Sequence, residues 1–174
     1  KAEVINRYNQ DLINRYGIVK VETSESSIVD SFNEDGTKIT QTKSAIVTYR
    51  YRERNGYQAI ISGVEETQHG ITRSSDYFGN WTETEVRNDY HDELIRNYGI
   101  VKVETSESSI VDSFCYDGTR TNQVRSTIIK YTYNSLASRG PIGRLDNVEE
   151  TRHGRTRSTD YFGNWTETEV KNEY

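Results

Sequence analysis

The chain has 174 residues, a formal net charge of −5 and a hydrophobic content of 32%. The negative charge argues against nucleic acid as a partner, because binding a phosphate backbone requires a basic face. The low hydrophobic content, partly offset by 13 tyrosines, predicts one or two small domains with thin cores. The sequence contains no apolar run long enough to span a membrane.

An internal repeat is the strongest feature of the sequence. Residues 17–32, GIVKVETSESSIVDSF, recur unchanged at residues 99–114, a displacement of 82 (99 − 17). Beyond a loop that is two residues longer in the second copy, Trp81 corresponds to Trp165, a displacement of 84 (165 − 81). The identity extends over polar positions as faithfully as over apolar ones, which indicates a recent duplication.

The chain is out of phase with this repeat. Residues 1–16 match the end of a repeat, and the last residues stop midway through the same element. We therefore expect residues 1–16 to form a helix that completes a preceding repeat or a shared junction. Residues 17–98 form repeat 1, and residues 99–174 form repeat 2. Three arrangements fit: an excerpt of a longer tandem array, subunits whose ends complete one another head to tail, or closure of one chain on itself.

Each repeat begins with a region of predicted antiparallel strands. The runs GIVKVET and SSIVDSF are rich in β-branched residues, and residues 44–52, SAIVTYRYR, alternate apolar and polar side chains. Asp35-Gly36 in the first copy and Asp117-Gly118 in the second are favoured hairpin-turn dipeptides.

A junction helix is predicted to follow the strands, from about Thr82 to a glycine stop at Gly99. Thr82 would be its N-cap, Glu85 would complete a capping box, and Val86 would pack on the preceding Trp81 as a hydrophobic staple. The corresponding cap and staple residues of the second copy are Thr166, Glu169 and Val170. The same stretch also alternates threonine with charge, as a strand does. We favour the helix because its boundaries agree with an apolar spacing of four.

These elements together predict the fold class. We expect an α+β fold of two tandem repeats, each with one helix packed on an antiparallel sheet and mostly β in content. Residues 1–16 keep the apolar spacing of the junction helix, so the same element is expected at the start of the chain.

The stretch DYFGNWTETEV occurs in both copies and carries most of the candidate site residues. Asn80 and Asn164 lie in Asn-Trp-Thr sequons and are candidate N-glycosylation sites in a secreted protein. The aromatic side chains could stack on a sugar or seal the junction between repeats, and we favour the junction. These aromatic residues are Tyr77, Phe78, Trp81, Tyr161, Phe162 and Trp165.

No catalytic pattern is found. His69 and His153 each precede a glycine and are interpreted as turn residues, and Cys115 as a tolerated free thiol. The carboxylates of both copies lack the spacing of a calcium loop, and ion pairing with arginine is favoured for them. These carboxylates are Glu65, Glu66, Asp76, Glu149, Glu150 and Asp160. We therefore predict a protein that is not an enzyme and has no metal or cofactor.

The leading hypothesis is a structural tandem-repeat module of an extracellular or cell-surface fibre or adhesive assembly. Its partner would be a copy of itself or a neighbouring repeat, bound head to tail, because a heterologous contact of this kind grows filaments unless it closes into a ring. The alternative is a soluble binding module with two like sites, either lectin-like with glycans as ligands or inhibitor-like.

Overall fold

The computed structural model describes residues 1–29, 31–54, 58–136, 138 and 140–174. In these residues the chain forms fourteen strands and two helices of seven residues each, α1 (Gln10–Tyr16) and α2 (Asp92–Tyr98). The strands are β1 (Ala2–Tyr8), β2 (Val21–Ile28), β3 (Ser31–Phe32), β4 (Lys38–Lys43), β5 (Ala45–Arg54), β6 (Gln58–Gln68), β7 (Gly70–Ser75), β8 (Trp81–Tyr90), β9 (Val103–Phe114), β10 (Arg120–Arg125), β11 (Thr127–Tyr133), β12 (Leu145–Arg152), β13 (Gly154–Thr159) and β14 (Trp165–Val170).

The strands form three antiparallel sheets. The first has the order β1-β2-β5-β6, the second β12-β11-β9-β8-β7-β4-β3, and the third β10-β13-β14. In the first half the chain passes from one sheet to another between β2 and β3, between β4 and β5, and between β6 and β7. In the second half it does so between β9 and β10, between β10 and β11, and between β12 and β13. The predicted α+β fold is therefore wrong. The protein is mostly β, and its two short helices do not form a layer on a sheet.

The pairing register recurs from one repeat to the next. In the β1–β2 pair Glu3 lies opposite Ser27, and in the β8–β9 pair Glu85 lies opposite Ser109, a displacement of 82 on both strands. The predicted Asp-Gly turns are present: Gly36 and Gly118 both have a φ of 85°, which glycine adopts without steric cost. The first turn joins the paired strands β3 and β4 in a hairpin, as predicted, whereas the second joins β9 and β10, which lie in different sheets. Equal sequence thus gives the same register in the β1–β2 and β8–β9 pairs.

Strand β8 occupies the place of the predicted junction helix. Its first residues, from Trp81 to Val86, pair with β7, and its whole length pairs with β9. The prediction of a capping box and staple is therefore wrong, because Thr82, Glu85 and Val86 lie in a strand. In the second copy the counterparts Thr166, Glu169 and Val170 lie in β14. The alternation of threonine with charge was the better guide, because a strand paired on both edges gains hydrogen bonds that local helix signals do not offer.

The helical part of the junction is shorter than predicted and starts later. Helix α2 begins after His91, whose Nδ1 accepts a hydrogen bond from the backbone N–H of Leu94, and ends at Gly99 with a φ of 68°. The predicted glycine stop is confirmed. Residues 1–16, predicted as one helix, form β1 and then α1, which has an Asn9 N-cap.

The core is thin, as the composition indicates. Among the described residues, the buried hydrophobic side chains are Leu12 of α1 and Leu94 and Ile95 of α2. Helix α2 packs against β6, and Arg52 of the neighbouring strand β5 donates a hydrogen bond to the backbone oxygen of Arg96 at 2.7 Å. Tyr98 of α2 donates a hydrogen bond to the backbone oxygen of Ser135 in the second repeat at 3.1 Å. Helix α2 is therefore a contact between repeats as well as a connection.

Candidate functional site

The most elaborate group of contacts lies where the two repeats meet. We call it the repeat junction and define it as β8, β9, the turn of residues 76–80 before β8 and the turn of residues 115–119 after β9. Because β8 closes the sheet of one repeat and pairs with the first long strand of the next, the junction belongs to both repeats.

The turn of residues 76–80 is organised by the Asp76 carboxylate. Its Oδ1 accepts hydrogen bonds from the backbone N–H groups of Phe78 at 2.9 Å and Asn80 at 3.0 Å, and its Oδ2 accepts from Asn80 Nδ2 at 2.6 Å. Gly79 has a φ of 84°, which requires glycine in this turn. These hydrogen bonds, with the Asn80 side chain first, hold the pKa of Asp76 below its ordinary value.

Asn80 joins the turns of the two repeats. While its Nδ2 donates to Asp76, its Oδ1 accepts a hydrogen bond from the backbone N–H of Tyr116 at 2.7 Å. Asn164 makes the equivalent bond to Asp160 at 2.9 Å, but its Oδ1 accepts no hydrogen bond from the described residues, and Asn164 is exposed. The two sequons thus differ: Asn80 is engaged in the junction and Asn164 is open.

Trp81 is held on two sides. Its ring stacks on Phe114 of the next repeat, with centroids 6.5 Å apart and planes 25° apart, and the Arg73 guanidinium lies 4.2 Å from its centroid. Arg73 also pairs with Glu83 at 2.9 Å, so an ion pair fixes the guanidinium over the ring. Trp81 therefore lies at the contact between the two repeats.

The same stack is incomplete at each end of the two-repeat unit. Arg157 lies 4.5 Å from the centroid of Trp165 and pairs with Glu167, yet Trp165 is 58% exposed. Phe32, the first-copy counterpart of Phe114, is 74% exposed. Among the described residues, Trp165 therefore has an arginine over its ring but no phenylalanine stacked on it, and Phe32 has no tryptophan stacked on it.

The other candidate aromatics lie at turn tips. Tyr77 and Phe78 form an edge-to-face pair with centroids 5.8 Å apart, and Tyr161 and Phe162 form the same pair at 5.6 Å. All four are exposed. The strand registers bring the turns 33–37, 76–80, 115–119 and 160–164 side by side at one end of the sheets, through the partner pairs Lys38–Ser75, Trp81–Phe114 and Arg120–Thr159. We call these four turns the turn row.

Glu66 and Glu150, for which surface ion pairs with Arg73 and Arg157 were predicted, are instead buried carboxylates. Arg73 and Arg157 pair with Glu83 and Glu167. The Glu66 side chain is 3% exposed, and its Oε2 accepts a hydrogen bond from the backbone N–H of Asn88 at 2.6 Å, just beyond the point where β8 leaves β7. Glu150 repeats this contact with Asn172 at 2.5 Å. The alternation of side chains along a strand could have indicated this burial, because Glu65 and Glu66 must face opposite sides of β6.

Two further side chains surround this carboxylate. His69 Nδ1 lies 3.9 Å from Glu66 Oε2, and the equivalent distance from His153 to Glu150 is 3.5 Å. Burial, and next the Glu66 charge, raise the pKa of Tyr90 to about 12. The group therefore fastens β8 just beyond the point where its pairing with β7 ends.

The remaining candidate residues are dispersed. Glu65 pairs with Arg50 at 2.5 Å, and Cys115 is half-buried in the turn between β9 and β10. Within the described ranges, no three His, Cys, Asp or Glu side chains are grouped as a metal site would require. None of the helices in those ranges has the length and apolar content needed to cross a membrane.

Comparison with models of protein families, with curated proteins and with solved structures finds no significant match to this chain.

Proposed function

We propose that this chain is a non-enzymatic structural module of an extracellular or cell-surface fibre or adhesive layer, in which like repeats join head to tail through the repeat junction. Each β8-type strand would end one repeat and begin the next, so that the sheets continue along the array. Units that contact mainly their neighbours gain stability from each interface added.

The Trp81–Phe114 stack is the observation that supports this proposal most directly. It joins side chains of different repeats, and it is accompanied by the Asn80–Tyr116 hydrogen bond and by the hydrogen bond from Tyr98 of α2 to the backbone oxygen of Ser135. Exposed Trp165 and Phe32 are the two halves of the same contact. When two different surfaces of identical units bind each other, the contact has no two-fold symmetry and builds a linear assembly unless it closes into a ring.

Sedimentation velocity over a range of concentrations, followed by electron microscopy, tests the proposal. We expect linear assemblies whose length grows with concentration and whose repeat along the axis matches one or two repeat units. A Phe32→Ala variant is the matched control, because it removes an exposed ring and should shorten the assemblies without unfolding the chain. Monomers at every concentration, with no filaments, would contradict the proposal.

A second candidate function is glycan binding by the turn row. The Tyr77–Phe78 and Tyr161–Phe162 pairs favour it, because exposed aromatic faces are what sugars stack on and the two pairs are equivalent. Trp81 is excluded as a platform, since Arg73 and Phe114 cover it. A glycan array with the wild type and a Tyr77→Ser/Tyr161→Ser variant tests this function. Binding lost in the variant supports it, and no binding by the wild type refutes it.

A further inference from the structure

Strand β1 is the most weakly held strand at the start of the two-repeat unit. All seven of its residues are exposed, and in the described residues its strand partner is β2 alone. Its counterpart β8 is paired on both edges. β1 is therefore the strand that can leave its sheet with the smallest loss of contacts.

The last ten residues contain a sequence similar to that of β1. Residues 168–174, TEVKNEY, match β1 residues 2–8, AEVINRY, at Glu, Val, Asn and Tyr. Trp165 to Glu167 stand directly ahead of them. In the described residues β14 pairs with β13 on one edge, and residues 171–174 are in no strand.

We infer that the last strand of one molecule, residues 165–174, replaces β1 of a second copy of this chain beside β2 and β3. This inference rests on the proposed array and specifies its contact. The register is the one already present at the repeat junction, where Trp81 lies opposite Phe114 and Tyr90 opposite Val103. In the exchanged pair Trp165 lies opposite Phe32, and Tyr174 lies opposite Val21.

The incoming strand makes contacts that β1 does not make. Trp165, already fixed under Arg157, gains the ring of Phe32, and Asn164 Oδ1 gains the backbone N–H of Glu34, as Asn80 does with Tyr116. The exposed edge of β3 at Ser31 and Phe32 gains a strand partner. Replacement thus keeps the β1 contacts and adds the stack.

Charge favours the exchange in the same register. Ile5 of β1 lies opposite Glu25, whereas the incoming strand places Lys171 there. At the repeat junction Arg87 lies opposite Glu107. The pKa of Glu107 is lowered first by a hydrogen bond from Ser126, and in lesser part by the charges of Arg152 and Arg87. A basic residue therefore suits this position better than isoleucine.

Disulfide trapping between two single-cysteine proteins tests the inference. In a Cys115→Ser background, a tagged Thr166→Cys protein is mixed with an untagged Ser31→Cys protein and oxidised. These positions match Thr82 and Ser113, which are partners at the junction. We expect a disulfide heterodimer at least five times more abundant than with a Thr168→Cys control, whose residue lies two positions away in the register.

Hydrogen exchange on the wild-type chain shows whether β1 leaves. With rising concentration, amides of residues 2–8 should lose protection while those of residues 165–174 gain it. Ile5→Lys, which strengthens β1 opposite Glu25, should lower the heterodimer yield severalfold. Lys171→Glu should lower it as well, by placing a like charge opposite Glu25.

The outcomes separate this inference from the proposed function. Filaments without the Thr166–Ser31 heterodimer, or with β1 still protected, would overturn the strand exchange and leave the array in place. Monomers with neither filaments nor heterodimer would overturn both.

Discussion

Trp81 and Phe114 lie opposite each other on β8 and β9, with ring centroids 6.5 Å apart, and they belong to different repeats. Their counterparts Trp165 and Phe32 are separated at opposite ends of the two-repeat unit. The chain therefore contains one complete contact and both halves of another, so each substitution at the junction has a matched control outside it.

Removing the stacked tryptophan should destabilise the monomer. Trp81→Ala loses the contacts with Phe114 and Arg73, and we expect a loss of about 2–3 kcal/mol in the free energy of unfolding. Trp165→Ala should cost less than about 1 kcal/mol in dilute solution, because that ring is already exposed. Urea unfolding measures both, and equal costs would mean that the Phe114 contact contributes nothing.

The Glu66 carboxylate should stabilise β8. Glu66→Ala leaves the backbone N–H of Asn88 without its acceptor, which is expected to cost about 2–3 kcal/mol. Glu66→Gln keeps an acceptor oxygen and should cost less. The control is Glu65→Ala on the exposed side of β6, where loss of the Arg50 pair should cost less than about 1 kcal/mol. If the two alanine variants unfold at the same denaturant concentration, the buried hydrogen bond is not a stabilising contact.

The helices should differ in their sensitivity to truncation. Ile95 is fully buried where α2 packs on β6, and Ile13 of α1 is half-buried. Ile95→Ala should cost about 3 kcal/mol and Ile13→Ala about 1 kcal/mol. Thermal unfolding followed by circular dichroism compares them. A larger effect at Ile13 would show that α2 is not the helix that holds the repeats together.

The turn aspartates should make stability fall in acid. The pKa of Asp76 and that of Asp160 are lowered, first by the hydrogen bonds from Asn80 and Asn164. A lowered folded-state pKa gives stability that is present above the ordinary Asp value of 3.8 and is lost as the pH falls through the folded-state value.

Melting temperature measured from pH 7 to pH 2 tests this effect. An Asp76→Asn/Asp160→Asn variant should start lower at pH 7 and lose less below pH 4 than the wild type. Asp35 and Asp117 also have lowered pKa values, so the melting temperature of the variant should still fall in acid, with a shallower slope than that of the wild type. Parallel curves for the two proteins would show that these carboxylates do not contribute.

The sequence predicted the parts of the fold that local chemistry decides. Asp-Gly dipeptides turn as expected at Gly36 and Gly118, the alternating run after Ser44 forms β5, and Gly99 ends a helix. Each of these features depends on neighbouring residues and on the φ that glycine allows.

The junction could not be predicted in the same way. The spacing of Val86, Tyr90, Leu94 and Tyr98 satisfies a helix, and only Leu94 and Tyr98 lie in one. Strand partners on both sides of β8, from residues 70–75 and 103–114, override the local signal. The capping by His91 was also invisible, because histidine is not among the favoured N-cap residues.

The contacts of the repeat junction could be predicted only in part, because they also join residues far apart in the sequence. A junction role for the aromatics follows from the repeat, and Trp81 fits it. The Phe114 partner, the Asn80–Tyr116 bond and the Glu66–Asn88 bond join residues 22 to 36 positions apart, and local patterns contain no signal for them.

A three-repeat chain tests whether repeats join through the repeat junction. Residues 1–170 followed by residues 87–174 extend the array in phase, because Val170 corresponds to Val86. The added copy of Phe114 should then cover Trp165. In this chain Trp81 and the tryptophan of the added repeat are both replaced by phenylalanine, so that Trp165 alone gives the tryptophan fluorescence. Its emission is compared with that of Trp165 in the two-repeat chain carrying Trp81→Phe. We expect a blue-shifted emission and a higher melting temperature for the three-repeat chain. An emission unchanged from the two-repeat chain would contradict the junction as the means by which repeats join.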